Sequence, residues 1–294
     1  MFQKVLIANR GEIALRIIRA CRELGIRTVA VYSEADRNAL HVRFADEAVC
    51  IGPASATLSY LYIPNVISAA EVTGADAVHP GYGFLAENVS FADAVRKHGL
   101  TFIGPSCEHL TAFGDKLSAK AAARAAGVPL LPGSKGAVAD VDEAAEVAAV
   151  VGYPVLVKAA FGGGGKGMRV ATDEAALRRV FELTSAEALA AFGNGAMFIE
   201  RFLPAPRHVE VQVAGDAYGN AIHVGERDCT LQRRHQKLVE EAPAPNLSDD
   251  LRARIRDAAV RLTAHSGYVT VGTCEFLVEG DEFFFLEVNP RIQV

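Results

Sequence analysis

The sequence lacks the cysteine pattern of a disulfide-rich or zinc-binding protein. It has five cysteines, and the closest pair, Cys21 and Cys50, is 29 positions apart. We therefore expect neither a disulfide framework nor a zinc site. No run approaches the ~18 apolar residues that a membrane-spanning helix needs, and the apolar stretch at residues 5–8 is too short for a secretory signal. These absences predict a cytoplasmic protein that has no membrane partner.

The sequence also lacks an excess of basic residues. Thirty Lys and Arg residues against thirty-five Asp and Glu residues give a net charge of −5. Proteins that bind nucleic acid usually carry a basic excess, so we expect no nucleic-acid partner. A polyanionic ligand would have to be small and bound locally, as a nucleotide or a phosphate is.

The order of predicted elements indicates an α/β protein of two domains. Half of the 294 residues are hydrophobic, which is enough for two packed cores. Over roughly the first hundred residues, short β-branched runs alternate with amphipathic helices, a pattern typical of a doubly wound, Rossmann-like parallel sheet. From residue 207 the strands look antiparallel, with one long helix at residues 247–266, as in an α+β unit. We place the boundary at residue 113, giving domains at 1–113 and 114–294.

The glycine-rich segment at residues 162–167 is the most pronounced motif. It matches the dinucleotide pattern G-x-G-x-x-G formally, but a strand is predicted after it where that pattern needs a helix. The Lys-Ser/Thr pair of a P-loop is missing as well. We interpret the segment as a strand–loop–strand flap whose amides fold over phosphates; the alternative is a flexible surface hairpin. Lys158, at the end of the preceding strand, is placed to reach the same space.

The C-terminal hairpin predicts a metal site. With a loop of residues 280–282, counting back along both strands places Glu275 opposite Glu287, and Asn289 and Arg291 fall on the same face. Two facing carboxylates in apolar surroundings repel unless a cation lies between them. Two carboxylates and an amide oxygen suit Mg²⁺. The alternative is a solvated acidic face.

Two further polar segments are candidate binding sites. Residues 227–237, followed by acidic residues, contain many arginine, glutamine, histidine and lysine side chains that can donate hydrogen bonds, which favours an anion pocket. Residues 79–84 follow a parallel strand at the carboxyl edge, where doubly wound sheets bind ligands. His208 alone is more typical of a hydrogen-bonded core histidine.

Taken together, these stretches resemble the biotin carboxylase component of biotin-dependent carboxylases of the acetyl-CoA or acyl-CoA type, in the ATP-grasp superfamily. The resemblance runs the length of the chain, through residues 7–14, 79–88, 114–116, the glycine-rich segment, 233–237 and 287–294. It implies that the second domain is an ATP-grasp domain with a lid subdomain at about residues 130–203, incomplete at its C-terminal end.

The resemblance also implies an activity, which is the ATP- and bicarbonate-dependent carboxylation of biotin on a carrier protein through carboxyphosphate. This is the first half-reaction of an acetyl-CoA or acyl-CoA carboxylase. The implied ligands are ATP, two Mg²⁺ or Mn²⁺ ions, bicarbonate and carrier-bound biotin. The implied partners are a biotin carboxyl carrier protein or domain, a carboxyltransferase component and, for the full-length protein, a second copy in a homodimer.

The same resemblance assigns roles to individual residues. Lys116 and Lys158 would contact the ATP phosphates, and the lid would consist of Gly163, Gly164, Gly165, Lys166 and Gly167. The segment from Glu200 to Leu203 would read adenine, with His208, Gln232 and His235 near the ribose and the phosphates. Glu275, Glu287 and Asn289 would hold the metal. Bicarbonate would be bound by Lys237 and Arg291, the two residues assigned to catalysis, and by Gln293 and the backbone of Val294. Tyr82 and Gly83 would border biotin.

One departure from the family pattern and three alternatives remain. In the family, a glutamate expected to act as the base on bicarbonate, and an arginine for the biotin enolate, follow the last segment matched here. We therefore expect nucleotide binding with little biotin carboxylation. The alternatives are another ATP-grasp ligase of the pyruvate carboxylase or carbamoyl-phosphate type, a non-catalytic nucleotide-binding fragment, and an NAD-binding unit that uses Glu34 or Asp36. The last has a single glycine, Gly11, in its first turn.

Overall fold

The structure, a computed structural model, describes residues 1–159, 167–233 and 236–294. Among the helices of these residues, none combines the length and the apolarity that a membrane crossing requires. Three larger sheets and one two-stranded ribbon organise the described chain.

The N-terminal sheet is parallel and doubly wound, as predicted. Its five strands are β1 (Lys4–Ile7), β2 (Arg27–Ser33), β3 (Glu47–Gly52), β4 (Ala77–His79) and β5 (Thr101–Phe102). Their order is β3-β2-β1-β4-β5, and every pairing is parallel. The helices between them are α1 (Gly11–Glu23), α2 (Leu40–Phe44), α3 (Ile63–Thr73) and α4 (Val89–Lys97). The order reverses between β1 and β4, so the loops after these two strands diverge and leave a crevice at the carboxyl edge.

Two short helices lead out of this sheet. They are α5 (Cys107–Gly114) and α6 (Lys116–Ala125). Asp115 caps α6, since its carboxylate accepts a hydrogen bond of 2.8 Å from the backbone N–H of Ser118. The predicted domain boundary at residue 113 falls at the end of α5 and stays a prediction.

A small antiparallel sheet carries the flanks of the glycine-rich segment. Its strands are β6 (Val155–Ala159), β7 (Met168–Ala171) and β8 (Met197–Arg201), in the order β7-β6-β8. Two helices accompany them, α7 (Val141–Val151) and α8 (Glu174–Phe192). The predicted strand–loop–strand arrangement is confirmed, because Lys158 pairs with Met168 across β6 and β7. Sequence patterning missed α7, because alanine and valine occur at exposed positions (Ala149 and Val150) as well as at buried ones and so weaken the contrast between its faces.

The remaining elements form the antiparallel part of the fold. They are β9 (Arg207–Gly215), β10 (Ala221–Asp228), β11 (Gln232–Arg233), β12 (Gln236–Lys237), α9 (Asp249–His265), β13 (Thr270–Glu279) and β14 (Glu282–Asn289). Four of these strands make one sheet in the order β10-β9-β13-β14, and β11 pairs with β12. The structure thus has the predicted fold class, a parallel N-terminal sheet followed by an antiparallel α+β region.

The β13–β14 hairpin reaches the predicted pairing by a different route. Glu279 pairs with Glu282, so the loop has two residues and not the three that were expected. That change alone would shift the whole register by one residue. A β-bulge at Leu286 shifts it back, because Phe276 pairs with Phe285 while Glu275 pairs with Glu287. The predicted Glu275–Glu287 pair is confirmed, whereas the loop from which it was counted is wrong.

The core beneath this sheet depends on one phenylalanine of β13. Phe276 is fully buried and its ring makes edge contacts with Phe283 and Phe285, at centroid distances of 5.7 and 6.2 Å. The same cluster includes Ile255 and Leu262 of α9. The side chains that alternate with this apolar face point to the other side of the sheet, where the acidic residues lie.

Replacing Phe276 with alanine should therefore destabilise the protein strongly. We expect Phe276→Ala to lower the free energy of unfolding by roughly 3–5 kcal/mol, because it leaves a cavity among rigid aromatic neighbours. The measurement is urea unfolding followed by circular dichroism. Phe44→Ala is the matched control, since Phe44 is 42% exposed, and its loss should be much smaller. Equal losses in the two variants would contradict this assignment of the core.

Candidate nucleotide and metal site

A cavity of about 350 Å³ lies where α6, the small antiparallel sheet and β14 meet. Its charged lining combines three lysines with three carboxylates, of which only that of Asp115 is exposed, namely Asp115, Lys116, Lys120, Lys158, Glu200 and Glu287. Its apolar lining comes from Leu117, Leu131, Phe198, Phe285 and Leu286. A cavity lined by both apolar side chains and lysines can bind an aromatic base and phosphates together.

Glu200 of β8 is the anionic centre of one wall. It is 5% exposed, and each of its carboxylate oxygens has its own cation. Lys158 Nζ donates to Oε2 at 2.5 Å, and Lys120 Nζ contacts Oε1. Burial alone would raise the pKa of Glu200, but the two lysines outweigh it and lower the pKa. Glu200 is therefore an ionised carboxylate that holds two lysines at the cavity.

Lys120 is a cavity residue that sequence analysis missed. It lies one helical turn after Lys116 on α6, and residues four apart on a helix share a face. That spacing was the signal that could have identified it. Leu203, predicted to read adenine with Glu200, is buried just beyond β8 but does not line the cavity in the described part of the chain.

The strand that precedes the glycine-rich segment ends at the edge of this cavity. Ala159 lines the cavity, and its N–H donates to the carbonyl of Gly167 at 2.9 Å, which closes the base of the loop. Gly167 has a φ of +75°, which favours glycine. Gly163, Gly164, Gly165 and Lys166 lie outside the described residues, as does His235, so their predicted roles stay predictions.

A row of charged residues crosses the four-stranded sheet beside the cavity. Direct cross-strand pairings align Arg227 with Glu210, Glu210 with Glu275, and Glu275 with Glu287. Glu210 was missed by the sequence analysis, although it lies two residues from His208 on a predicted strand and therefore had to share its face. Glu210 is fully buried, and Arg227 Nε donates to it at 2.6 Å.

Glu275 is held ionised by three neighbours. Its Oε1 accepts hydrogen bonds from Lys237 Nζ at 2.9 Å and from Asn289 Nδ2 at 2.7 Å. Its Oε2 lies 2.7 Å from His208 Nε2. Burial opposes ionisation, but the bonds and charges of His208 and Lys237 prevail and lower the pKa of Glu275 to about 2. Lys237 also contacts Glu210, and the two carboxylates raise its pKa despite burial.

His208 is oriented from its other side by Gln232. Gln232 Nε2 lies 2.7 Å from His208 Nδ1 and 2.9 Å from the carbonyl of Cys229. Gln232 and Glu275 thus contact the two ring nitrogens of His208 and fix the orientation of the ring. His208 is thus hydrogen-bonded, as the simpler interpretation expected, and it contacts a predicted metal ligand.

Glu287 faces the cavity from the end of the charged row. Burial and the neighbouring charge of Glu275 raise its pKa, and Lys116 partly counteracts them. No hydrogen bond to its carboxylate is found within the described ranges. Two carboxylates side by side, one of them open to the cavity, favour a cation at this position.

Arg291 connects the end of β14 to the N-terminal sheet. Its Nη2 donates to Asn289 Oδ1 at 3.0 Å, and its Nη1 donates to Gln293 Oε1 at 3.1 Å. Its Nε forms an ion pair of 3.0 Å with Glu87, which lies in the N-terminal part of the chain. Gln293 Nε2 is buried and has no hydrogen-bond partner among the described residues, while Val294 is exposed.

The loop after β4 is clamped by the segment after β1. Asn9 Nδ2 donates to the carbonyls of Pro80 and Tyr82, both at 2.7 Å, and the hydroxyl of Tyr82 contacts Glu12. The loop and Arg291 line a small cavity of about 50 Å³. Asp36, a candidate in the NAD alternative, is engaged by the hydroxyl of Tyr60 at 2.7 Å.

Two family models and several known proteins match this chain. The family model "Carbamoyl-phosphate synthase L chain, ATP binding domain" matches residues 115–294, and "Biotin carboxylase, N-terminal domain" matches residues 1–110. The chain is 58% identical over 295 aligned positions to the biotin carboxylase of Pseudomonas aeruginosa, covering 100% of this chain and 66% of that protein. The chain therefore spans just under two thirds of the length of the curated relatives it matches.

Two solved structures extend the similarity to the fold. A biotin carboxylase of Campylobacter jejuni in a β,γ-ATP complex is 50% identical, with a TM-score of 0.90, over 100% of this chain and 66% of that one. The biotin carboxylase domain of the 2-oxoglutarate carboxylase of Hydrogenobacter thermophilus, a dimer with MgADP, ADP and bicarbonate, is 48% identical. Its TM-score is 0.87, and the match covers 100% of this chain and 65% of that one.

The histidine at the carboxyl edge of the parallel sheet should make stability depend on pH. Burial lowers the pKa of His79 to about 4, and its Nδ1 accepts a hydrogen bond from the N–H of Gly81 at 3.0 Å. Between pH 6.5 and 4 the unfolded chain therefore binds a proton that the folded chain does not, so stability falls as the pH falls. In His79→Asn, whose amide oxygen also accepts, this contribution of about 2–3 kcal/mol should disappear.

The measurement is urea unfolding of parent and variant at half-unit steps from pH 4 to 8. The difference between their unfolding free energies should be constant above pH 7 and change steadily below pH 6.5. A difference that is independent of pH over the whole range would contradict the assignment.

Proposed function

The chain belongs to the biotin carboxylase family of ATP-grasp proteins, and on that basis we propose that it binds MgATP and bicarbonate for the carboxylation of biotin. The observation that supports this proposal most directly is the cavity in which three lysines face Glu200 and Glu287. Its apolar walls suit adenine, and its lysines suit phosphates. In this proposal Lys116 and Lys158 contact the phosphates, and the segment from Glu200 to Leu203 reads the base.

The residues beside Glu287 fit a hard divalent cation. Glu275, Glu287 and Asn289 offer only oxygen ligands, and the two carboxylates are direct cross-strand neighbours. Asn289 Oδ1 and Glu275 Oε1 now accept bonds from Arg291 and Lys237, so both cations would have to turn away. Mg²⁺ or Mn²⁺ held by these three residues would neutralise phosphate oxygens and so favour attack at the γ-phosphorus.

We assign bicarbonate to the cationic side chains that contact Glu275 and Asn289. Lys237 and Arg291 supply positive charge, and the buried Gln293 Nε2 is a donor with no partner among the described residues. A planar anion of three oxygens can accept from all of them at once. Tyr82 and Gly83 would border biotin, because their loop lines the small cavity with Arg291.

In the proposed reaction, an oxygen of bicarbonate forms a bond to the γ-phosphorus while the bond to the β–γ bridging oxygen breaks. ADP leaves, and carboxyphosphate remains. The bond between its carboxyl carbon and the phosphate oxygen then breaks to give phosphate and CO₂. The phosphate takes the proton from N1 of biotin, and N1 forms a bond to the carbon of CO₂. The chain's part is to position the reactants, neutralise charge with its lysines and exclude water.

The partners and location follow from the same proposal. The biotin would be carried by a carrier protein or domain, and carboxybiotin would serve a carboxyltransferase component. We also infer that the full-length protein is a homodimer and that it works in the cytoplasm, where five scattered cysteines can stay reduced.

The decisive test of the function is ADP release in the presence of bicarbonate and free biotin. We expect ADP release to require bicarbonate and to rise only slightly with biotin, because the base expected on bicarbonate is not among the residues matched here. Lys237→Met should lower bicarbonate-dependent release about 10²-fold or more, because it removes a charge that faces the anion, and should leave MgADP binding measurable. Lys135→Met is the matched control at an exposed lysine. Bicarbonate-dependent release that ignores biotin would instead favour another ATP-grasp ligase.

The metal assignment has its own test. Glu287→Gln removes one charge and keeps the shape, so the affinity for ADP should become nearly independent of Mg²⁺. The measurement is calorimetric titration with ADP at several Mg²⁺ concentrations. Glu282→Gln, at an exposed glutamate of the same hairpin, should keep the Mg²⁺ dependence of the parent. If Glu287→Gln also keeps it, the metal lies elsewhere.

A further inference from the structure

Lys120 has no role in the function as proposed so far, yet it lines the cavity. Its Nζ contacts Glu200 Oε1, while Lys158 Nζ binds Glu200 Oε2 at 2.5 Å. The side chains of the two lysines are 32% and 27% exposed, and that of Glu200 is 7% exposed. A single buried carboxylate thus holds two lysines that both reach the cavity.

Charge balance gives the two lysines different roles. A buried carboxylate needs one counterion, because leaving it alone in a low-dielectric site is costly. Glu200 has two, so one can leave without stranding the charge. Lys158 belongs to β6, the strand that precedes the glycine-rich segment in the chain, whereas Lys120 belongs to helix α6. Lys158 is therefore the cation that can turn towards phosphates while Lys120 stays.

We infer that Lys120 is a positioning residue of the nucleotide site, which neutralises Glu200 and so releases Lys158 to the phosphates. This inference rests on the proposed nucleotide binding. It explains why Glu200 and Lys158, both assigned to the nucleotide, can bond each other in the free protein without blocking the site. It also predicts that Lys120 acts through Glu200 and not by touching the phosphates itself.

The consequence is a specific loss of affinity for phosphate-bearing ligands. Without Lys120, Glu200 has only Lys158 as counterion, and nucleotide binding must break a buried ion pair. We expect Lys120→Met to weaken MgADP binding about 10- to 100-fold. Adenosine, which has no phosphate, should bind Lys120→Met and the parent alike. Arg124→Met, one turn further along the same helix and exposed, should bind MgADP as the parent does.

The test is a double-mutant cycle measured by calorimetric titration with MgADP and with adenosine. In a Glu200→Gln background the neutral amide no longer holds Lys158, so adding Lys120→Met should cost less than about twofold. Lys120→Arg keeps the charge and should restore most of the affinity. A purely structural ion pair would lower the thermal midpoint of Lys120→Met without this pattern in ligand affinity.

Three results would overturn the inference. They are unchanged MgADP affinity in Lys120→Met, an equal loss for adenosine, and a full loss that persists in the Glu200→Gln background, which would mean that Lys120 contacts phosphate directly. Failure of the parent protein itself to bind MgADP would refute the proposed function as well, and the parent titration separates that case from the other three.

Discussion

The buried negative charge of Glu210 and Glu275 is the constraint around which the candidate site is arranged. Both carboxylates are buried in the middle of a sheet whose other face packs on an apolar core, where a charge without a counterion is costly. Lys237 bridges the two, Arg227 supports Glu210, and His208 supports Glu275. Since the charges compensate each other, the predicted metal ligands and the predicted bicarbonate residues form one electrostatic unit.

This unit limits what its cations can do at one time. Lys237 and Arg291 now serve oxygen atoms of Glu275 and Asn289. In the proposed reaction the same two side chains face bicarbonate, and the oxygen atoms face a divalent cation. Positive charge delivered to the carboxylates therefore frees positive charge for the anion, so that the two ligands should support each other's binding. Glu200 has a similar arrangement at the cavity, since its one carboxylate holds two lysines near the position where phosphates are expected.

How much of such a site the sequence predicts depends on how far apart along the chain the interacting residues are. Alternation along a strand is local, so the shared face of Glu275, Glu287 and Asn289 followed from the pattern. The loop of the same hairpin did not, since a two-residue turn and a bulge at Leu286 depend on backbone geometry that side-chain pattern does not encode. The two deviations cancel, and the pairing was therefore predicted correctly from a wrong loop length. Helix α7 was missed for a related reason, because valine and alanine on both of its faces leave little periodic contrast.

Contacts between distant elements lie beyond such patterns. Lys120 and Glu200 are 80 positions apart, and Asn9 binds carbonyls more than 70 positions away. Each of these residues could be placed on a face of its own element, but its partner is decided by how the elements pack.

The segment around Asn9 illustrates the difference. It was recognised as a family motif without a role, and the structure shows that it holds the loop of Tyr82 against the sheet. Arg291, from the other end of the chain, reaches the same region through Glu87. The contact between Glu87 and Arg291 exists only once the parallel and antiparallel parts of the fold are packed together, and its geometry is therefore a property of their packing.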